Sequence, residues 1–294
     1  MEISISTPDN FNFKSTALSH GWYDLPPFSY DESTSTLNRV LEIGSGRAVS
    51  VRISQCDAST LNIVTSQKLG RQAIEQISHD VRHMLRFDDD LTDFYKLVNR
   101  DDNFMWISKF GAGRLLRAPT VFEDLIKMIC TTNCSWSLTD KMVNALVEAL
   151  GNKTSDGQYA FPTPAAMASQ SISFYQTEVR AGYRAPYLSE LAYRVASREL
   201  DVEGWLSSEL PVAELKREML KVKGVGPYAA ENMLRLVGRY DGLALDSWVR
   251  GKFARTHNRG RAASDRKIER HYARFGAWKG LALWCDMTRD WHES

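Results

Sequence analysis

A glycine turn and one carboxylate are the residues of this chain whose types and spacing could do chemistry. Residues 221–248 read KVKGVGPYAAENMLRLVGRYDGLALDSW. Gly224 and Gly226 flank Val225, after a helix with Leu215, Met219 and Val222 inward and before a second helix expected to open at Pro227 with Ala230, Met233, Leu234 and Val237 on its inner side. Glycine permits positive φ and close approach of another backbone, and proline suits the first position of a helix. Successive N–H groups at such a turn, aided by the helix N-terminus, form a nest for an anion such as a phosphate. A tight turn between two core helices has the same look. Asp246 follows the apolar run LAL at the mouth of the next helix, where it serves as an N-cap or as a catalytic carboxylate.

These residues need a scaffold. The first third alternates as strands do: TLNRVLEI, a Gly-Ser-Gly turn at 44–46, RAVSVRIS and TLNIVTSQ. Around Arg71 the period changes, and RQAIEQISHDVRHMLRF places Ile74, Ile77, Val81 and Leu85 on one helical stripe. Helix signals then continue to the end, with Thr163 as N-cap before Pro164 and a similar start at LPVAELKREMLKV. The expected fold is α+β, with an N-terminal antiparallel β-sheet domain plus helix over residues 1–108 and a mostly α-helical domain over 109–294.

The composition, 43% apolar and 25% charged over 294 residues, is that of a globular protein with a substantial core. No apolar stretch reaches the ~20 residues of a membrane span, and the N-terminus lacks the order of a secretory signal, so an intracellular place, bacterial cytoplasm or eukaryotic nucleus, is expected. The four cysteines are scattered, as in a reducing compartment. Cys130 and Cys134 share a helix face, but no second close pair completes a metal site. The net charge of +1 hides an asymmetry: residues 249–274 carry nine Lys/Arg against two acids, a surface fit for duplex DNA or a solvated basic helix.

At this point the chain resembles the helix-hairpin-helix (HhH-GPD) DNA glycosylases. DDDLTDFY (88–95), GRLLRAPTVFEDLIKMICTTNCSW (113–136), AGYRAPYLSELA (181–192), GVGPYAAE (224–231) and WKGLALW (278–284) occur in the order of that family and span about residues 85–290. The N-terminal strands look like the sheet domain that alkylpurine and 8-oxoguanine glycosylases carry. GPYAAE is close to the GPWTAE form of the alkylpurine (3-methyladenine) branch.

The resemblance implies a base-excision repair enzyme that flips a damaged purine out of duplex DNA and cuts its glycosidic bond. Members that also cut the backbone carry a lysine two residues after the second glycine; here Tyr228 stands there, which implies a monofunctional enzyme using water. Asp246 would then stabilise the oxocarbenium-like sugar, and Gly224, Val225 and Gly226 would hold a phosphate. Asn133 and Arg184 would face the orphaned partner base. The flipped base would meet aromatic side chains, drawn from Tyr228, Trp248, Phe275, Trp278 and Trp284, of which Tyr228 and Trp284 match best by position. A cationic N-alkylpurine would stack favourably there and leave without a general acid. No four-cysteine cluster follows Asp246, so neither an iron–sulfur centre nor any other cofactor or metal is expected. A monomer acting on damaged double-stranded DNA is expected. The alternatives are excision of an oxidised or mismatched purine, and a non-catalytic DNA-binding module, which would have no use for a carboxylate near the sugar.

Overall fold

The computed structural model describes residues 1–44 and 46–293, so Ser45 in the expected Gly-Ser-Gly turn lies outside the described residues. Five strands are formed: β1 (Glu2–Ser6), β2 (Phe28–Asp31), β3 (Thr36–Glu42), β4 (Ala48–Asp57) and β5 (Thr60–Thr65). The helices are α1 (Phe13–Ala17), α2 (Arg71–Met84), α3 (Thr92–Val98), α4 (Trp106–Lys109), α5 (Val121–Thr131), α6 (Trp136–Leu150), α7 (Pro164–Ala168), α8 (Ile172–Thr177), α9 (Ala185–Ala196), α10 (Val212–Leu220), α11 (Pro227–Leu236), α12 (Ser247–His257), α13 (Asp265–Tyr272), α14 (Lys279–Met287) and α15 (Arg289–Glu293). The fold is α+β, an N-terminal antiparallel sheet followed by helices, as the alternation of period predicts. None of the described helices is long and apolar enough to cross a membrane.

The chain divides into two compact units, each assembled from two stretches: 1–88 with 115–205, and 89–114 with 206–294. The compact units part the chain at places other than the expected 108/109 boundary, and residue 108 falls inside 89–114.

In the first unit the strands lie in the order β1-β5-β4-β3-β2, all antiparallel. The register aligns Ile3, Ile63, Ile53 and Leu37 in one row across four strands, and the last three are fully buried. That row is what a period-two apolar pattern produces when one sheet face is covered. In α2 the buried residues are Ala73, Ile77, Val81 and Met84, while Ile74 is only half-buried and Leu85 is the buried C-cap. Ile77, Val81 and Leu85 of the expected stripe are thus buried, with Ala73 and Met84 joining them in place of Ile74.

A buried ionic cluster ties sheet to helix. Arg39 of β3 makes a two-pronged contact with Glu123 of α5 at 2.8 and 2.6 Å, and Lys127, one turn on, meets the same carboxylate at 2.8 Å. Burial by itself would raise the Glu123 carboxyl, but the two cations hold it below the usual range. Removing one member would strand a buried charge, at a cost of about 3–5 kcal/mol.

The second unit is helical. Its early stretch packs on its late one through aromatic faces: Phe94 stacks on Trp278 at 5.4 Å, Trp278 on Tyr240 at 5.3 Å, and Phe104 lies 4.7 Å from Phe275. Arg274 adds an ion pair to Asp101 at 2.8 Å.

Candidate active site

Helices α10 and α11 form the expected hairpin, with Leu215, Met219 and Val222 buried on one side and Ala230, Met233, Leu234 and Val237 on the other. Gly224 takes φ +88°, as a left-handed turn requires. Gly226 does not share that conformation: it is the N-cap of α11 at φ −89° and ψ −178°. A Cβ placed on Gly226 would meet no atom within 4 Å, so its exposed backbone faces open space. Val225 is buried and offers the surface only its backbone. α11 opens at Pro227, leaving the amides of the turn beside a helix N-terminus.

The segment between α11 and α12 is pinned from several sides. Gly280 donates its N–H to Tyr240 O at 2.7 Å, and a Cβ on Gly280 would fall 1.9 Å from Gly242 O, so only glycine lets the loop lie against the start of α14. Glu231 Oε2 accepts from Ala244 N at 2.6 Å, and Lys216 Nζ reaches Glu231 Oε1 at 2.5 Å. Arg235 donates to Leu243 O at 3.2 Å. Ala244 is held at φ +48°, a conformation most side chains avoid. Two residues further on stands Asp246.

Asp246 is the N-cap of α12, its Oδ1 accepting from Val249 N at 2.7 Å. The cap fixes one carboxylate oxygen and leaves the side chain half-buried at the positive end of the helix. Tyr228 lies within the field of this carboxylate: burial first, and then the Asp246 charge, push its phenol above its usual pKa. Arg235 completes the charge set. Burial lowers its guanidinium to about 10, against the pull of Tyr228, Cys285, Glu231 and Asp246, so it remains a cation at neutral pH. Its Nε is buried with no hydrogen-bond partner among the described residues.

Three tryptophans gather at this end of α12. Trp248 is 5.9 Å from Trp284 and 5.8 Å from Trp291, and Trp284 and Trp291 are 6.0 Å apart and close to perpendicular. Trp248 and Trp291 are more than a third exposed, which is unusual for this side chain. The Arg235 guanidinium lies over Trp284, 4.9 Å from its centroid. A separate cavity of about 370 Å³ is lined by Tyr228, Glu231, Leu243 and Leu245 but not by the tryptophans.

Of the residues singled out in the sequence, Tyr228 is thus brought within the field of Asp246, Trp248 is brought against Trp284, and Arg235 links Trp284 to that charge set. Phe275 and Trp278 pack elsewhere: Phe275 is buried against Phe104 and under Arg274, and Trp278 is sandwiched between Phe94 and Tyr240. Asn133 and Arg184 lie in the first unit. Asn133 is exposed at φ +47°, its side chain donating to Tyr183 OH at 3.4 Å. Arg184 is buried and donates to Thr132 O, so it supports the 132–134 turn from beneath instead of pointing outward. The group presented beside Asn133 is Tyr183, half of whose surface is exposed and against which Arg184 stacks at 4.5 Å.

Arg235, Trp291 and Tyr183 were not found from the sequence. Tyr228, Glu231 and Arg235 stand at i, i+3 and i+7 on α11, so helical-face spacing was the available signal for Arg235, whereas Trp291 reaches Trp284 from the separate helix α15.

No protein-family model matches the chain. It is 25% identical over 230 residues to the N-glycosylase/DNA lyase of Saccharomyces cerevisiae, a match covering 73% of this chain and 60% of that protein's length. Among solved structures, the 3-methyladenine DNA glycosylase of Archaeoglobus fulgidus is similar with a TM-score of 0.73 at 22% identity, over 97% of this chain and 98% of that one. The apo 8-oxoguanine glycosylase/lyase of Clostridium acetobutylicum is similar to the same degree, TM-score 0.73 and 22% identity, over 96% and 94% of the two chains. The fold is the one these DNA glycosylase structures share.

Proposed function

We propose that the chain is a monofunctional DNA glycosylase of base excision repair, which flips a damaged purine nucleotide out of duplex DNA and releases the base by hydrolysis. The observation that carries this reading is the placement of Asp246: a carboxylate fixed by its own helix cap, approached by a strained and pinned loop, two residues ahead of Trp248 in a partly exposed tryptophan cluster. As the C1′–N bond lengthens, positive charge builds on the sugar, and a preorganised carboxylate stabilises it without reorganisation at the moment of reaction. Water then adds at C1′ and gives up a proton, while the bonding electron pair leaves with the base.

Tyr228 occupies the position of the lyase lysine. Its phenol, held protonated by burial and by Asp246, cannot form a Schiff base with the sugar. The N-glycosylase/DNA lyase relative joins both activities in its name; this chain's own residues support only the first.

For the damaged base, the tryptophan cluster favours an N-alkylpurine, whose positive charge is attracted to aromatic faces and whose bond is already weak. One observation favours a second reading. Arg235 already presents a cation to Trp284, which would repel a charged base, and its unpartnered Nε–H is a donor of the kind a neutral oxidised purine needs. The test is single-turnover release of 3-methyladenine, 7-methylguanine and 8-oxoguanine from otherwise identical duplexes. Faster release of the alkylpurines is expected. Fastest release of 8-oxoguanine transfers the specificity to the Arg235 reading, and no release of any base overturns the glycosylase reading itself.

A further inference from the structure

Away from Asp246, three helices of the second unit bring together a set of side chains that the proposed reaction does not use. His257 is the last residue of α12, His271 lies in α13 and Asp286 in α14, and their ligating atoms all fall within 4.8 Å of one another. His257 Nε2 and Asp286 Oδ2 are 2.7 Å apart, and the two imidazole rings are 4.5 Å apart between centroids. Tyr272 donates its O–H to Asp286 Oδ2 at 2.6 Å, fixing the carboxylate from behind. His271 Nε2 is buried and has no hydrogen-bond partner among the described residues. Burial, His257 and Arg274 all lower the His271 pKa, which keeps its ring in the neutral form that can ligate.

The cluster opens onto a cavity of about 480 Å³. Lys252, Arg274 and Arg289 also line it, but Lys252 is paired with Asp290 at 2.8 Å and Arg274 with Asp101 at 2.8 Å, while Arg289 lies over the Trp106 ring at 5.6 Å. Carboxylates thus offset two of these charges next to the site.

We propose that His257, His271 and Asp286 bind a divalent first-row transition-metal ion of the zinc type, the cavity leaving its fourth position to water. Two imidazoles and one carboxylate suit zinc and its neighbours and do not suit calcium or magnesium, which prefer all-oxygen shells. Around a tetrahedral zinc with bonds of about 2.0–2.1 Å, ligand atoms sit roughly 3.3 Å apart, so the present atoms, within 4.8 Å of one another, would draw together on binding. On binding, the ion takes the place of the direct contact between His257 Nε2 and Asp286 Oδ2. The ion would be no part of the hydrolytic step. α12 runs eleven residues from its cap to His257, placing the two ends about 16 Å apart at ~1.5 Å per residue. It would instead clamp the far end of the helix whose near end presents Asp246, together with α14, which carries Trp284.

The test uses the full chain, stripped with chelator and dialysed, then titrated calorimetrically with zinc chloride alone, in parallel with His271→Gln. His271 is the variant of choice because its ring has no partner to lose at Nε2, and circular dichroism checks that the variant folds. One equivalent of zinc with a raised Tm is expected for the wild type. His271→Gln should bind at least about tenfold more weakly, since loss of even a supporting group costs roughly 10–100-fold. Cobalt(II) in place of zinc should give visible bands of a four-coordinate site in the wild type and lose them in the variant. Equal zinc binding by both proteins would assign the ion elsewhere, for instance to a cysteine, and overturn the proposal. Uptake of inorganic phosphate without zinc would overturn it as well and identify the cavity as an anion site.

Discussion

Glu231 Oε2 accepts the backbone N–H of Ala244 at 2.6 Å and so holds the chain, in its left-handed turn, two residues ahead of Asp246. The same carboxylate takes the Lys216 ammonium on its other oxygen. Glu231→Ala is expected to lower stability by about 1–3 kcal/mol, the usual cost of stranding such a group, and to reduce excision further than stability explains, because the carboxylate at 246 loses its fixed approach. Urea denaturation and single-turnover release measure the two effects. Full activity in the variant would mean that Gly280 and Arg235 hold the loop without Glu231.

Asp246→Asn keeps the size and the cap on Val249 but removes the charge. Base release is expected to fall by roughly 10²-fold or more while binding to abasic duplex is retained. An unchanged rate would remove Asp246 from the chemistry.

Gly226→Val places a branched side chain in the open space in front of the turn amides. Since a phosphate contact carries no sequence information, affinity for all duplexes should drop alike and the salt dependence should fall by about one phosphate. A loss confined to one lesion would move the turn into the base pocket.

Tyr228→Lys puts an amine beside Asp246 on the first turn of α11. The wild type should leave an intact abasic strand, cleaved only by alkali, with no adduct trapped by borohydride; the variant should yield one. An adduct in the wild type would show that another lysine reaches the sugar and that the chain also acts as a lyase.

His292 packs beside Trp106, and burial pulls its pKa down from 6.5 to about 4. The unfolded chain takes up this proton below about pH 6.5 and the folded chain only near 4, so folding stability should decline as pH falls through that window. His292→Gln should flatten the decline in urea melts between pH 7 and 4. An identical slope would assign the acid sensitivity to other groups.

The sheet, the hairpin and the cap at Asp246 were legible because each is local: a period of two, a glycine turn with proline, and an acid before a helix are patterns within a few residues. Phe275 and Trp278 were misleading for the same reason. An aromatic residue has the same letter whether it faces a pocket or a neighbour's ring, and only the return of 89–114 against 272–278 decides it. Arg184 was placed on the right turn but turned inward, leaving Tyr183 to meet solvent. The cluster of His257, His271 and Asp286 was hidden because its members come from three helices, each offering a single unremarkable residue.

The split composition of the second unit has a consequence for synthesis. Phe94 and Phe104 emerge from the ribosome long before the residues at 272–278 that cover them, with all of 115–205 translated in between. At roughly 5–20 residues per second, that interval is on the order of ten to thirty seconds, during which the nascent chain carries bare aromatic side chains. Residues 89–114 are therefore the stretch where a holding chaperone would engage during translation, and a chain stalled before about residue 270 would be left with them uncovered.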